Sequence, residues 1–146
     1  MEKQEIIAAA KLKAEQHQLD PALVCAIIEQ ESNWNTWAVR YEPAFLAKYV
    51  SPLYAAGKIS ATEAWTRSMS WGLMQVMGQV ARERGYRAPF LPNLCDPWEG
   101  IEVGCQVFAH KLERAGGDVN KALLLWNGGG RPEYAGEVLA RMVKYQ

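Results

Sequence analysis

The chain has 146 residues, of which 49% are hydrophobic and 22% are charged, as expected for one globular domain with a sizeable core. Its 16 basic and 16 acidic residues balance to a net charge of zero, which argues against a nucleic-acid-binding protein because such proteins carry a basic excess. No apolar run is long enough to span a membrane. The composition therefore predicts a single domain over residues 1–146 that has no membrane span and no nucleic-acid partner.

Helical periodicity dominates the start of the chain. Residues 3–18 alternate apolar and charged side chains, which predicts an amphipathic helix. A second helix is predicted over residues 21–32, because Asp20 is a favourable N-cap and Pro21 is favoured at the first helical position.

Glu31 is the candidate catalytic residue of this second helix. It follows Leu23 and Ile27 at intervals of four residues, so it shares their otherwise apolar face. Burial and the negative end of the helix dipole both raise the pKa of a carboxyl group in such a place. A carboxyl that stays protonated near neutral pH is what a general acid needs. The alternative is a solvated glutamate at a helix end, an interpretation favoured by the polar neighbours Glu29 and Gln30.

Aromatic residues are concentrated in the stretch 33–71, which lacks a clear period. Eight of the fifteen aromatic residues of the chain lie there: Trp34, Trp37, Tyr41, Phe45, Tyr49, Tyr54, Trp65 and Trp71. They form either a small satellite core or a wall that stacks on the apolar faces of sugar rings, and the two can coexist. We expect at most a minor irregular or β region here, within a mainly α-helical fold.

Three further helices are predicted in the second half of the chain. Asp96-Pro97 repeats the earlier cap signal and opens a long helix that ends at Gly116-Gly117. Asp118 caps a helix that stops at Asn127, and a last helix begins at about residue 132.

The cysteines and histidines predict no metal site and no cofactor. Cys25, Cys95 and Cys105 contain no CxxC pair, and free thiols in the core are expected. His17 and His110 have no partner at the spacing of metal ligands.

Four motifs follow one another along the chain: Glu31-Ser32, Gly72-Leu73-Met74-Gln75, Asn127-Gly128 after a helix, and Tyr134 shortly before Val138. In this order they resemble the soluble lytic transglycosylase (SLT) domain of the lysozyme-like superfamily. The resemblance covers about residues 20–138. The Glu-Ser pair alone would carry no weight, whereas the four motifs in order are specific.

The resemblance implies a single helical domain, like goose-type lysozyme, that cuts the glycan strand of peptidoglycan between N-acetylmuramic acid and N-acetylglucosamine. It implies that Glu31 protonates the glycosidic oxygen while the acetamide of the substrate assists. Glu31 would then take the proton from the muramyl 6-hydroxyl, which closes a 1,6-anhydro ring without consuming water. No second carboxylate stands out in the matched motifs, as expected for a mechanism with one acid.

Six further residues are predicted to contact the substrate: Ser32, Ser70, Gln75, Met77, Asn127 and Tyr134. The amides of Gln75 and Asn127 suit N-acetyl groups or the reacting hydroxyl. Ser70 is expected to bond Glu31 or the acetamide, and Met77 to pack against a sugar ring. Tyr134 is expected to steady the intermediate or Glu31. Ser32 is either part of the site or a helix-end hydroxyl bonded to the local backbone.

Arg40 and Glu42 are possible accessory residues that leave the reaction type open. Glu31 and Gly72 lie 41 positions apart, a longer separation than the family often has, and the aromatic stretch makes up most of this insertion. If Glu42 faces the cleft it would hold a water, and the enzyme would be a hydrolase like goose-type lysozyme. Otherwise it pairs with Arg40 at the surface, binds glycan hydroxyls, or caps a helix opened by Pro43.

A third possibility is a silent sugar-binding or structural module of a phage tail or secretion apparatus. Such modules often lose the catalytic acid, and this chain keeps it.

The sequence also suggests a biological setting. Residues 1–5 are polar and no signal-peptide core follows, so we expect the protein to be made in a cytoplasm. A cell-wall enzyme without an export signal resembles a small phage endolysin, which reaches the wall after a holin opens the membrane. We expect a monomer that acts on the wall after such release.

Overall fold

Helices α1 (Lys3–Gln16) and α2 (Pro21–Ser32) pack together at the start of the protein, which a computed structural model describes over residues 1–146. The Asp20 carboxylate accepts a hydrogen bond from the Ala22 amide at 2.9 Å, so α2 begins where the cap signal predicts. Residues 22–29 of α2 are buried. The catalytic candidate therefore lies at the end of the central helix of the fold.

The stretch 33–71 is more regular than the sequence predicts. In chain order it contains β1 (Val39–Tyr41), α3 (Pro43–Phe45), a π-helical turn (Leu46–Val50), α4 (Ser51–Ala55), α5 (Ala61–Arg67) and β2 (Met69–Trp71). Most of these helices are a single turn or two, too short for a periodic signal to rise above the sequence around it. The mainly helical fold with a minor β region is confirmed.

A three-stranded antiparallel sheet is joined to the end of α2 by the hydrogen bond from Ser32 to the Leu73 carbonyl. Strand β3 (Val76–Met77) completes it, and the order is β1-β2-β3. The register places Arg40 opposite Ser70 and Ser70 opposite Met77. Paired residues of neighbouring strands point to the same face of a sheet, so three candidate site residues form one row.

The remaining elements complete the helical shell. They are α6 (Gly78–Glu83), a 3-10 turn (Leu91–Cys95), α7 (Pro97–Arg114), α8 (Val119–Asn127), α9 (Tyr134–Arg141) and a final 3-10 turn (Met142–Tyr145). Side chains of Asp96 and Asp118 cap α7 and α8, as the sequence predicts. Phe108, Ile27 and Met74 are among the fully buried residues that join α7, α2 and the β2–β3 turn in one core. No helix has the length and apolar character needed to cross a membrane.

The polar neighbours of Glu31 suggest a solvated helix end, but Glu29 is buried. Its side chain is 7% exposed and lies 2.5 Å from the Arg141 guanidinium, 2.7 Å from the Lys144 ammonium and 2.5 Å from the Tyr145 hydroxyl. Burial alone would raise the pKa of Glu29, but the hydrogen bonds from Lys144, Tyr145 and Arg141 outweigh it and lower the pKa to about 2. Glu29 therefore anchors the C-terminal turn to α2 as an anion.

The predicted thiols are buried and unpaired. Cys25, Cys95 and Cys105 all lie in the core and form no disulfide. Burial raises the pKa of Cys25 to about 11 and that of Cys105 to about 12, so both are protonated and unreactive at neutral pH.

Candidate active site

A cleft of about 580 Å³ opens at the C-terminal end of α2, with Glu31 in its wall. The sheet and α3 form one side with Arg40, Glu42, Phe45, Ser70, Gln75, Val76 and Met77. The other side comes from α6, α7 and the end of α8, with Val80, Val107, Lys111, Leu125, Trp126, Asn127 and Gly128. Residues far apart in sequence thus converge on one carboxyl group, as expected of an active site.

Glu31 combines burial with a specific hydrogen bond. Its carboxylate accepts a hydrogen bond from the hydroxyl of Tyr134, which is buried on α9. Burial raises the pKa of Glu31 above its ordinary value of 4.5, and the side chains of Tyr134, Trp126 and Arg40 work in the opposite direction. The same contact and burial raise the pKa of Tyr134, so its phenol stays a hydrogen-bond donor. This arrangement suits a group that acts first as an acid and then as a base.

The Tyr134 contact leads to a prediction about pH. The Tyr134→Phe variant loses the hydrogen bond that lowers the pKa of Glu31, so we expect the alkaline limb of its kcat–pH profile to move to higher pH. A hydrogen bond to a charged group is worth about 1.5–3 kcal/mol, so kcat should fall by about ten-fold or more. Exposed Tyr54 supplies the matched control, Tyr54→Phe. A Tyr134→Phe profile that superimposes on the parent profile would contradict this role.

Ser70 and Gln75 act on each other rather than on Glu31. The Ser70 hydroxyl donates to Gln75 Oε1 at 2.8 Å, and Gln75 Nε2 donates to the carbonyls of Ala38 and Gly72, each at 2.9 Å. Of the two expected partners of Ser70, Glu31 does not receive its hydroxyl hydrogen, because Gln75 accepts it, and a contact with the substrate acetamide stays a prediction. Both side chains still line the cleft, where they fix the shape of its floor.

Ser32 does not line the cleft, so its predicted substrate contact is not supported. Its hydroxyl lies 2.8 Å from the Leu73 carbonyl and 3.1 Å from the Ile28 carbonyl. The alternative interpretation, a helix-end hydroxyl bonded to backbone, matches this geometry. The bond to Leu73 also ties the end of α2 to the β2–β3 turn.

Asn127 and Trp126 end α8 at the cleft. Asn127 Nδ2 is buried and has no hydrogen-bond partner within the protein, a costly state that favours an acceptor supplied by a ligand. Trp126 packs edge-on against Phe108 with ring centroids 5.7 Å apart, and it also lines the cleft beside Glu31. Sequence periodicity places Trp126 on the apolar face of its helix and so misses its second, cleft-facing role.

Arg40 and Glu42 form an ion pair at the edge of the cleft. Arg40 Nε lies 3.0 Å from Glu42 Oε1, and the two side chains are 76% and 37% exposed. Glu42 precedes α3 but its side chain makes no capping bond, so the expected cap is wrong. The ion pair between Arg40 and Glu42 that the sequence suggests is therefore present, and it lies at the edge of the cleft.

Most of the aromatic stretch lies away from the cleft. Trp34 and Trp71 are buried in the core, and Tyr41 packs on Trp65 with centroids 5.3 Å apart. Phe45 is the member of the stretch that lines the cleft. Neither expected arrangement describes the whole stretch, because Trp34 and Trp71 join the main core while five of the eight side chains are exposed. Trp126 supplies the second aromatic surface of the cleft.

A second depression, of about 500 Å³, has a different character. It is lined mainly by charged side chains, and Glu63 in it bonds both Arg67 and Arg82, at 3.0 and 2.7 Å. Because the hydrogen bonds from Arg82 and Arg67 lower the pKa of Glu63, whereas burial raises that of Glu31, the Glu31 cleft is the candidate active site.

Comparison with known proteins bears on the same region. A family model described as "Transglycosylase SLT domain" matches residues 8–135, which include every residue that lines the cleft. No solved structure matches the chain.

Proposed function

The chain belongs to the transglycosylase SLT domain family, and from this premise we propose that Glu31 cleaves the β-1,4 bond between N-acetylmuramic acid and N-acetylglucosamine with formation of a 1,6-anhydro product. Membership of the family gives the coarser activity, lytic transglycosylation of peptidoglycan. The proposal adds the residue, the bond and the product.

One observation carries the proposal: the half-buried Glu31 carboxyl, with a raised pKa and a hydrogen bond from Tyr134, lies in a cleft that can hold a sugar chain. In the first step the Glu31 proton goes to the glycosidic oxygen and the C1–O bond breaks, with the acetamide oxygen of the substrate stabilising C1. In the second step the Glu31 carboxylate takes the proton of the muramyl 6-hydroxyl, the hydroxyl oxygen bonds to C1, and the acetamide oxygen is released from C1. Glu31 ends as it began, protonated, and no water enters the product.

The neighbouring groups support these steps by position. Asn127 Nδ2 is a free donor for an N-acetyl oxygen or for the reacting hydroxyl. Phe45, Met77 and Trp126 contribute apolar surface to the lining of the cleft. Gln75 and Ser70 hold the floor rigid.

Mass spectrometry of the released muropeptides tests the proposal. We expect 1,6-anhydro ends, which are lighter by one water than reducing ends, and no incorporation of oxygen from ¹⁸O-labelled water. Reducing ends that carry ¹⁸O would instead identify a hydrolase.

Hydrolysis is the second candidate, because Glu42 lines the same cleft as Glu31. A second carboxylate could position a water on the far face of the sugar. The ion pair with Arg40 weighs against it, since the guanidinium already occupies Glu42 Oε1 at 3.0 Å. The oxygen-labelling experiment decides between the two reactions.

The endolysin role remains a prediction, as do the monomeric state, the cytoplasmic origin and the need for a holin. The three reduced, buried thiols are compatible with accumulation in a reducing compartment. Expression in a Gram-negative cell with and without a co-expressed holin tests the role, and we expect lysis only when both are present.

A further inference from the structure

Lys111 is the cation of the cleft that lacks a carboxylate partner. It lies on α7 one turn after Val107, and both side chains line the cleft that contains Glu31. The other cation, Arg40, is held by Glu42 at 3.0 Å. No carboxylate oxygen lies within 4.0 Å of the Lys111 ammonium.

Partial burial makes this unpaired charge unfavourable in the free protein. Burial lowers the pKa of Lys111, and the positive charges of Arg114 and Arg84 add to the effect while Glu83 opposes it. A half-buried cation that leaves its charge uncompensated within a cleft is well placed to meet an anionic ligand.

A second donor without an acceptor belongs to another residue that lines the cleft. The Asn127 amide nitrogen is buried and unbonded, and Asn127 follows Leu125 and Trp126 at the end of α8, which packs on α7. One wall of the cleft thus offers an ammonium group and an amide N–H, and the protein supplies neither with an acceptor.

We propose that Lys111 binds a carboxylate of the glycan strand and makes the cleft selective for anionic over neutral β-1,4 amino-sugar polymers. This inference rests on the proposed function. When Glu31 is protonated and Arg40 neutralises Glu42, Lys111 leaves the cleft with a net positive charge. Peptidoglycan strands carry carboxylates on the lactyl groups or on the attached peptides, whereas chitin oligosaccharides carry none.

Binding to catalytically blocked protein tests the inference. In the Glu31→Gln background, Lys111→Met is compared with Lys111→Arg and with Lys121→Met, a change at an exposed lysine outside the cleft. The ligands are peptide-free glycan strands, peptide-bearing strands and chitohexaose. Because Lys111→Met removes a charge-assisted hydrogen bond to the strand carboxylate, we expect it to weaken binding of anionic strands about ten-fold at low salt. Binding of chitohexaose should not change, and Lys111→Arg and Lys121→Met should bind normally.

The results distinguish a lactyl carboxylate from a peptide carboxylate. They also distinguish failure of the role of Lys111 from failure of the proposed function. A loss on peptide-free strands identifies the lactyl carboxylate, and a loss confined to peptide-bearing strands identifies a peptide carboxylate. Unchanged binding of both strands by Lys111→Met, or an equal loss on chitohexaose, would overturn the role of Lys111. If the Glu31→Gln protein binds none of the glycans, the proposed function itself fails. Melting temperatures verify that each variant is folded.

Discussion

The Glu31→Gln variant is expected to lose the ability to clear a suspension of outer-membrane-permeabilised Gram-negative cells while it keeps its fold. Glutamine preserves the size of the side chain and can still accept the Tyr134 hydrogen bond, but it cannot give up or take a proton. Because one carboxyl serves both steps, we expect kcat to fall by about 10³-fold or more, within the range for a general acid–base residue. Turbidity clearing and release of soluble muropeptides measure the effect.

The thermal stability of the Glu31→Gln variant should not fall with its activity. Since the folded-state pKa of Glu31 is raised above 4.5, the folded protein binds more protons than the unfolded chain, and stability declines as pH rises through the folded-state pKa. The Glu31→Gln variant has no buried carboxylate at pH 7, so its melting temperature should be at least as high as that of the parent. Glu15→Gln, an exposed change on α1, is the matched control and should leave lysis intact. Substantial lysis by Glu31→Gln would remove Glu31 from the mechanism.

The Gly72→Ala variant is expected to be strongly destabilised. Gly72 has a φ of +70°, and a Cβ atom there would lie 2.5 Å from the Leu94 carbonyl oxygen. The clashing partner is backbone, so it cannot rotate away as a flexible side chain would. The left-handed conformation costs an alanine about 1 kcal/mol, and overpacking adds about 1–3 kcal/mol.

Gly57 provides a control that separates these two contributions. It has a φ of +72°, almost the same as Gly72, but nothing lies within 4 Å of a Cβ built there. Gly57→Ala should therefore show only the cost of the left-handed conformation, a fall in Tm of about 2–4 °C. The Tm of Gly72→Ala should fall by roughly 10 °C. We also expect Gly72→Ala to lower lytic activity, because the Gly72 amide bonds the Ala38 carbonyl at 2.7 Å beside Gln75. Equal melting temperatures for the two variants would refute the clash with Leu94.

The helices that carry the site could be predicted because their signals are local. Asp20, Asp96 and Asp118 each bond an amide two or three residues later, so the sequence alone contains both partners. The raised pKa of Glu31 could also be predicted, since it results from burial and Glu31 shares the apolar face of its helix.

What the sequence did not predict depends on distant partners. Strands β1 to β3 have only two or three residues each and exist because they pair across the fold. Glu29 could not be assigned to the interior, because its cations, Arg141 and Lys144, lie more than 110 positions away in sequence. Ser70 is different, because its partner Gln75 is near in sequence but comes within hydrogen-bond distance only through the β2–β3 turn.

The hydrogen bonds that join the β2–β3 turn to α2 and to the start of β1 have an evolutionary consequence. Ser32 is joined to Leu73, and Ala38 accepts hydrogen bonds from both Gly72 and Gln75, so both ends of the intervening segment are held at the active site. Its middle, residues 46–67, contributes no side chain to the cleft. Closing a longer loop between fixed ends is inexpensive, about 0.6 kcal/mol for each doubling of its length. Insertions and deletions within residues 46–67 can therefore accumulate without moving Glu31, which leaves this part free to diverge while the chemistry stays constant.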